Sequence, residues 1–299
     1  MISNHSRAAR LALTIGAIAL ASITTGCKKK GTGGGGGGGA WLVGHAGTMA
    51  NLLDDGTLGD GYALDADHDL YGITCRGLDT AFVAGDQGTV LRTFDGGDTW
   101  ESLDLGTTAT LRDVAAGGPD TVYVAGEHVL VVSYDSGDRW QPLRGGADHD
   151  WISLATEHTG AIALALDDAG ALWRWDDVTG AMLEVTTVPG ARAVTMSHDG
   201  HHAAVVGAGG AIVRSDDEGR SWTRVASGVD ADLLAAWTTD DGALIAVGAA
   251  GTVVRVTATG VTAATPGTAT LRALHVDAAG EGIAAGDGDE VLLTHDGGV

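Results

Sequence analysis

Thr93-Phe94-Asp95-Gly96-Gly97-Asp98-Thr99-Trp100 is the stretch that decides the fold. It has the form S/T-x-D-x-G-x-T/S-W. Ser215 to Trp222 repeats it in full, and Ser133 to Trp140 keeps all but the Thr, which is Arg139. Thr294-His295-Asp296-Gly297-Gly298 begins another copy. Asp55 and Asp177 hold the same register in weaker copies, and Ala258 falls where a further one belongs. The wording is that of a hairpin turn: the carboxylate accepts backbone N–H groups, a Gly takes positive φ, and the Trp packs the turn onto its own sheet. The residues assigned this structural role are Asp95, Gly97, Trp100, Asp135, Trp140, Asp217, Gly219, Trp222 and Asp296.

Working outward, each turn closes a unit of about 41 residues. Gly44, Gly85, Gly126, Gly207, Gly248 and Gly286 each end an apolar run, and a second run follows after a tight turn. Both runs are rich in Val, Leu, Ile and Thr and bounded by Gly and Asp, which is the composition of strands. A further strand opens each unit near Leu70, Leu111, Trp151, Arg192, Leu233 and Leu271. Four short strands per unit, repeated, predict an all-β propeller over residues 41–299. The expected ring is a seven-bladed β-propeller. Its first and last blades are three-stranded, because the first unit lacks an inner strand and the last ends after its third. Six blades with merged terminal strands is the alternative.

The turn wording resembles the Asp-box (BNR) repeat of β-propellers. Together with the run TVLRTFDGGDTW at 89–100 it resembles one subgroup, the photosystem II assembly and stability factor family. The resemblance spans essentially all of 41–299. It implies a protein-binding or assembly scaffold.

The first residues carry an address. Arg7 and Arg10 precede the uncharged run Leu11 to Ile23, too short to span a bilayer and of the right length for a signal peptide. Thr24-Thr25-Gly26-Cys27 follows and resembles the lipobox of bacterial lipoproteins. By that resemblance residues 1–26 are removed and Cys27 is acylated. Residues 27–40 form a tether, in which Lys28 to Lys30 suit an anionic lipid surface and a run of glycines supplies reach. An ordinary secretory signal with a chance cysteine is the alternative. The expected location is the cell envelope, anchored to the membrane by lipid. Lys28 lacks the Asp that marks inner-membrane retention in some bacteria, which favours the outer membrane.

From Gly31 onward 12 arginines face 39 acidic residues, a balance of −27 with His neutral. Nucleic-acid binding needs a basic footprint and is excluded. The loops joining the second to third strands, and one blade to the next, share one face. That face gathers acidic and His residues, and its candidate binding set is Asp67, His68, Asp69, Asp148, His149 and Asp150. These are oxygen and imidazole donors of the kind that hold a divalent cation, so calcium is the candidate cofactor. No other cofactor and no catalytic residue is expected, and the chain reads as a monomer.

The alternatives to a scaffold are a sialidase-like glycoside hydrolase and a cation-dependent carbohydrate-binding or adhesion module. For the hydrolase, Tyr71 is the inner-strand nucleophile candidate. His198, Asp199, His201 and His202 read as a polar surface loop. Arg92, Arg174, Arg214 and Arg255 share one strand register with Leu52, Val132 and Leu293, which predicts buried stems with charged tips at blade interfaces. With Cys27 acylated, Cys75 is expected as a buried, inert thiol.

Overall fold

A computed structural model describes residues 20–25, 40–52, 62–64, 68–77, 79–146, 148–176, 180–276, 280, 282–287 and 291–294. They form antiparallel sheets in which each strand pairs with the next in sequence. The first sheet is β1 (Leu20–Thr25), β2 (Ala40–Gly44), β3 (Thr48–Leu52) and β4 (Tyr62–Ala63). The second is β5 (Leu70–Arg76), β6 (Thr80–Gly85), β7 (Val90–Thr93) and β8 (Glu101–Leu103). Next come β9 (Leu111–Gly117), β10 (Thr121–Gly126), β11 (Val129–Ser133) and β12 (Gln141–Pro142), then β13 (Trp151–Thr156), β14 (Ile162–Asp167), β15 (Ala171–Asp176) and β16 (Ala181–Thr187). The fifth sheet is β17 (Ala191–Met196), β18 (Ala203–Gly207), β19 (Ile212–Ser215) and β20 (Thr223–Val225). The sixth is β21 (Leu233–Thr238), β22 (Leu244–Gly248), β23 (Val253–Thr257) and β24 (Gly260–Ala264), and β25 (Leu271–Val276), β26 (Gly282–Gly286) and β27 (Val291–Thr294) complete the order.

The fold is an all-β propeller, and the expected blade arrangement is corrected. Six sheets are complete four-stranded blades, and the last is a three-stranded sheet. The expected ring of seven blades, three-stranded at both ends, therefore does not hold. The first blade has an inner strand, β1, taken from the stretch assigned to the signal peptide and upstream of residue 41. β1 pairs antiparallel with β2 and touches β5 on one side and β25 on the other. The physical reason is that the run LASITT holds small and β-branched residues that suit a strand. Unfilled, the inner edge of β2 would leave backbone N–H and C=O groups unpaired among packed strands.

The core lies between blades. Phe82, Val90 and Leu103 of the second blade pack with Leu111, Val122 and Val124 of the third. Leu164 and Leu172 of the fourth pack with Val194 and Val205 of the fifth. Leu42 and Ala50 of the first blade pack with Ala273 and Ala285 of the last sheet, so the circle is closed by the same kind of contact. Each blade buries both faces, and its strands read as near-continuous apolar runs for that reason.

Candidate functional site

The eight-residue turns are held by their own side chains. In the second blade Asp95 Oδ1 accepts from Thr99 N–H at 2.9 Å and from the Thr93 hydroxyl at 2.7 Å, while Oδ2 accepts the Thr99 hydroxyl at 2.6 Å. Asp217 is bonded in the same way to Ser221 and Ser215. The Thr99 and Ser221 hydroxyls, then their backbone N–H groups, hold both carboxyls down at about 2. Asp135 has Arg139 where the hydroxyl stands elsewhere. Its backbone bond to Arg139 leads the downward pull, and the guanidinium reaches it only at 3.5 Å.

Gly97 adopts φ +88°, and a Cβ there would lie 2.9 Å from the Trp41 ring of the preceding blade. Trp100 joins the cluster containing Trp41 and Met49, Trp140 the one containing Phe82, and Trp222 the one containing Leu164. Each of these clusters also holds residues of the tryptophan's own blade, so the turn tryptophans sit both on their own blade and at the seam with the blade before. Asp296 lies outside the described residues.

On the acidic face the described carboxylates are engaged separately. Asp69 Oδ2 lies 2.6 Å from His45 Nδ1, and its Oδ1 accepts from Ala46 N–H. That backbone bond and the His45 bond lower its pKa. His149 sits 3.0 Å from buried Asp167 and packs against Trp151 and Trp173. Asp150 faces His128 at 3.6 Å. Asp148 and His68 are on the same face, and Asp67 lies outside the described residues. Among the described residues no three His, Cys, Asp or Glu side chains lie together as an ion would need. Tyr71, Arg112 and Glu127 share a small pocket on this face, with Arg112 bonded to Glu127 at 2.9 Å. Burial, then the Asp69 and Asp86 charges, pushes the Tyr71 hydroxyl upward, away from a nucleophile's requirement.

The larger cavity, about 670 Å³, opens at the other end of the axis. It is formed by the second halves of the inner strands and the loops that leave them. Its wall is apolar at Ile73, Val114, Leu154 and Val194. Trp237 and His275 stack there with ring centres 4.1 Å apart. His158 and His198 stack at its rim at 4.9 Å. Thr238 Oγ1 and Arg76 Nη1 are buried and find no hydrogen-bond partner among the described residues.

Asp113 faces this cavity and reaches across to the next blade, where its Oδ2 accepts from Leu154 N–H at 2.7 Å. Burial pushes its carboxyl up to about 6. Part of its surface still meets the channel, which tempers that push. The 198–202 loop, expected to be mere surface, contributes His198 to the rim. His201 and His202 diverge to Glu218 and Asp216, as neighbours alternating along an extended chain must.

Sequence reasoning missed Asp113, His158, Trp237 and His275. The signal lies in aligning the inner strands: Asp113 stands where the others have Gly, Ser or Ala, and Trp237 and His275 share the fifth position. Cys75 requires a correction. It lines the cavity half-buried and is disulfide-bonded rather than an inert thiol. The only other cysteine in the chain is Cys27, which lies outside the described residues.

More than nine-tenths of the chain superposes on solved propellers. YCF48 from Cyanidioschyzon merolae matches with a TM-score of 0.73 at 17% identity, covering 93% of this chain and 96% of that one. A YCF48 bound to a D1 peptide matches at 0.76 and 18%, covering 99% and 98%. Virginiamycin B lyase from Staphylococcus aureus matches at 0.74 and 16%, covering 92% and 94%. No family model matches the sequence, and no curated protein does. The likeness establishes a β-propeller resembling YCF48 in fold. A lyase shares that fold, so the fold alone assigns no chemistry.

Proposed function

We propose that this chain is a lipid-anchored propeller of the bacterial envelope that binds a protein partner, as an assembly scaffold does. The observation that carries the reading is the end-to-end likeness to YCF48, a photosystem II assembly factor, including a structure of it with a peptide bound. The cavity supports it: an apolar wall, a stacked Trp237–His275 pair and unpartnered polar atoms at Thr238 and Arg76 suit an extended polypeptide. Cys27, the three lysines and the glycine tether support anchoring, with the outer membrane favoured. Binding of this kind needs no cofactor and assigns no catalytic residue. The hydrolase reading has one arginine beside Tyr71 where a carboxylate substrate calls for several, and a tyrosine pushed the wrong way.

The test is capture of partners from detergent-solubilised membranes by wild-type protein and by Trp237→Ala, with the melting temperature as a folding control. A partner retained by wild type and lost with a folded Trp237→Ala is the expected outcome. Equal capture by both counts against the cavity as the place of binding, and capture by neither counts against the scaffold reading.

A further inference from the structure

The inner strands obey a rule that the leader segment also obeys. In β5, β9, β13, β17, β21 and β25 the first residue pairs with the last residue of the neighbouring strand, as Leu70 does with Gly85 and Leu271 with Gly286. A register shift then separates the first residue from the third. The third position holds Gly72, Asp113, Ser153, Ala193, Ala235 or Ala273. The spacing of inner strands explains the small residues: a Cβ on Gly72 would lie 3.0 Å from Asp113 Cα and Val114 N of the next blade. The fourth position is a branched aliphatic residue in five of the six and Ala236 in β21.

β1 repeats each feature. Leu20 pairs with Gly44, the shift falls between Leu20 and Ser22, and Ile23 pairs with Leu42. Leu20-Ala21-Ser22-Ile23 gives the same order, a small residue third and an aliphatic fourth. Residues 20–25 are thus an inner strand by sequence as well as by pairing. Yet the lipobox reading removes them, because the cut falls before Cys27. Removal leaves the inner edge of β2 with open backbone donors and acceptors between β5 and β25, an arrangement that recruits another strand.

We propose that this inner edge of β2 is a strand-acceptor site. It is plugged by residues 20–25 in the unprocessed chain and open to an extended segment of a partner protein once the chain begins at Cys27. The proposal rests on the lipid-anchor reading for its timing alone; the slot itself rests on the register. The segment recognised has an apolar residue, any residue, a small residue and an aliphatic one, in that order. Backbone pairing with Ala40–Gly44 supplies its attachment, and the close approach of β5 to β9 at Gly72 argues against an aromatic third side chain, Asp113 being the largest found there. Removal of the leader then both anchors the protein and uncovers a second binding site, apart from the Trp237–His275 cavity.

The test uses the full chain with Cys27→Ser, which prevents acylation and any bridge at that residue, and a protease site inserted in the glycine run 33–39. The probe is a fluorescent peptide of residues 18–25. Before cutting, the slot is filled from within, and the peptide is expected to bind at least tenfold more weakly than after cutting. After cutting, the leader becomes an exchangeable strand, and one labelled peptide per chain is expected to replace it. A peptide with Ser22→Phe is expected to exchange at least tenfold less. No uptake after cutting, equal uptake before and after, or equal uptake of the Ser22→Phe peptide would overturn the proposal. Mass spectrometry of the mature wild-type N-terminus decides the anchor separately. A start other than acylated Cys27 ends that reading while the cut-chain result still judges the slot.

Discussion

Asp113 shows how one side chain couples two blades and the solution pH. Its Oδ1 accepts from Val114 N–H at 2.8 Å in its own strand, and its Oδ2 from Leu154 N–H in the next. Burial raises its carboxyl to about 6, from an ordinary value near 3.8. The folded state then holds a proton that the unfolded state has released, so stability falls as pH rises from about 4 through about 6. Full desolvation would cost about 3 kcal/mol at neutral pH; contact with channel water brings this to about 1–2 kcal/mol. Asp113→Asn keeps an acceptor for the Leu154 N–H and has no charge to bury. It is expected to melt like wild type near pH 4 and several degrees higher at pH 7, as measured by thermal unfolding across that range. A constant difference at every pH would show that Asp113 does not titrate in this window. Asp95 and Asp217 act in the opposite sense: held near 2, they contribute above about pH 4 and lose that contribution as pH falls through 2. Those two were legible in the sequence because every partner lies within four residues. Asp113 was not, because its partner is 41 residues away and only the folded ring brings it near.

At the scale of the strand, two third-strand arginines, Arg92 and Arg174, lock their blades to the next. Arg92 Nη1 donates to the Ser136 carbonyl at 2.7 Å, inside the turn of the next blade, and also to Asp138. Its Nη2 donates to Glu101, and its guanidinium lies over Phe94. Arg174 Nε repeats the device with the Glu218 carbonyl at 2.8 Å. Both stems are buried, 7% and 8% exposed, which is the expected buried stem with charged tip; Arg214 and Arg255 in the same register are only partly buried, and Asn51 rather than Leu52 holds that register in the first blade. The targets of Arg92 and Arg174 were not readable, since a carbonyl 44 residues away carries no side-chain signature. Arg92→Ala removes both the stem packing and the donor, and leaves a buried carbonyl unpaired; the expected cost is about 3–4 kcal/mol. Arg92→Leu copies Leu293, which stands at this register in the last sheet, and keeps the stem. It is expected to cost about half as much, in urea unfolding of the same protein. Equal losses would mean the clamp, and not the packing of the stem, holds the seam. The turn tryptophans belong to the same logic: Trp222 is half-exposed, bonded to Gly219 O at 3.0 Å, and leans on the preceding blade.

Over the whole molecule, the repeat made the propeller legible, and the same repeat explains what the sequence reading misplaced. A signal peptide and an inner strand are both short apolar runs, so composition alone assigned residues 20–25 to the first; only the register of β1 against β2 reveals the second. The consequence reaches the chain's two cysteines. Cys75 is disulfide-bonded, and Cys27 is the other cysteine available. Acylation consumes the Cys27 thiol, so one chain cannot be both lipid-anchored and bridged at that residue. Two end states follow, the leader kept in the ring with Cys75 oxidised, or the leader removed with Cys75 reduced. In an oxidising envelope the first is favoured until the leader is cut. Denaturation in an alkylating agent without reductant separates them. Cys75 in the membrane-anchored fraction is expected to be alkylated completely, and Cys75 in the uncut precursor only after reduction. A membrane-bound chain whose Cys75 resists alkylation until reduced would show that the anchor is not the acylated cysteine, and that the leader strand remains seated in the protein at the membrane.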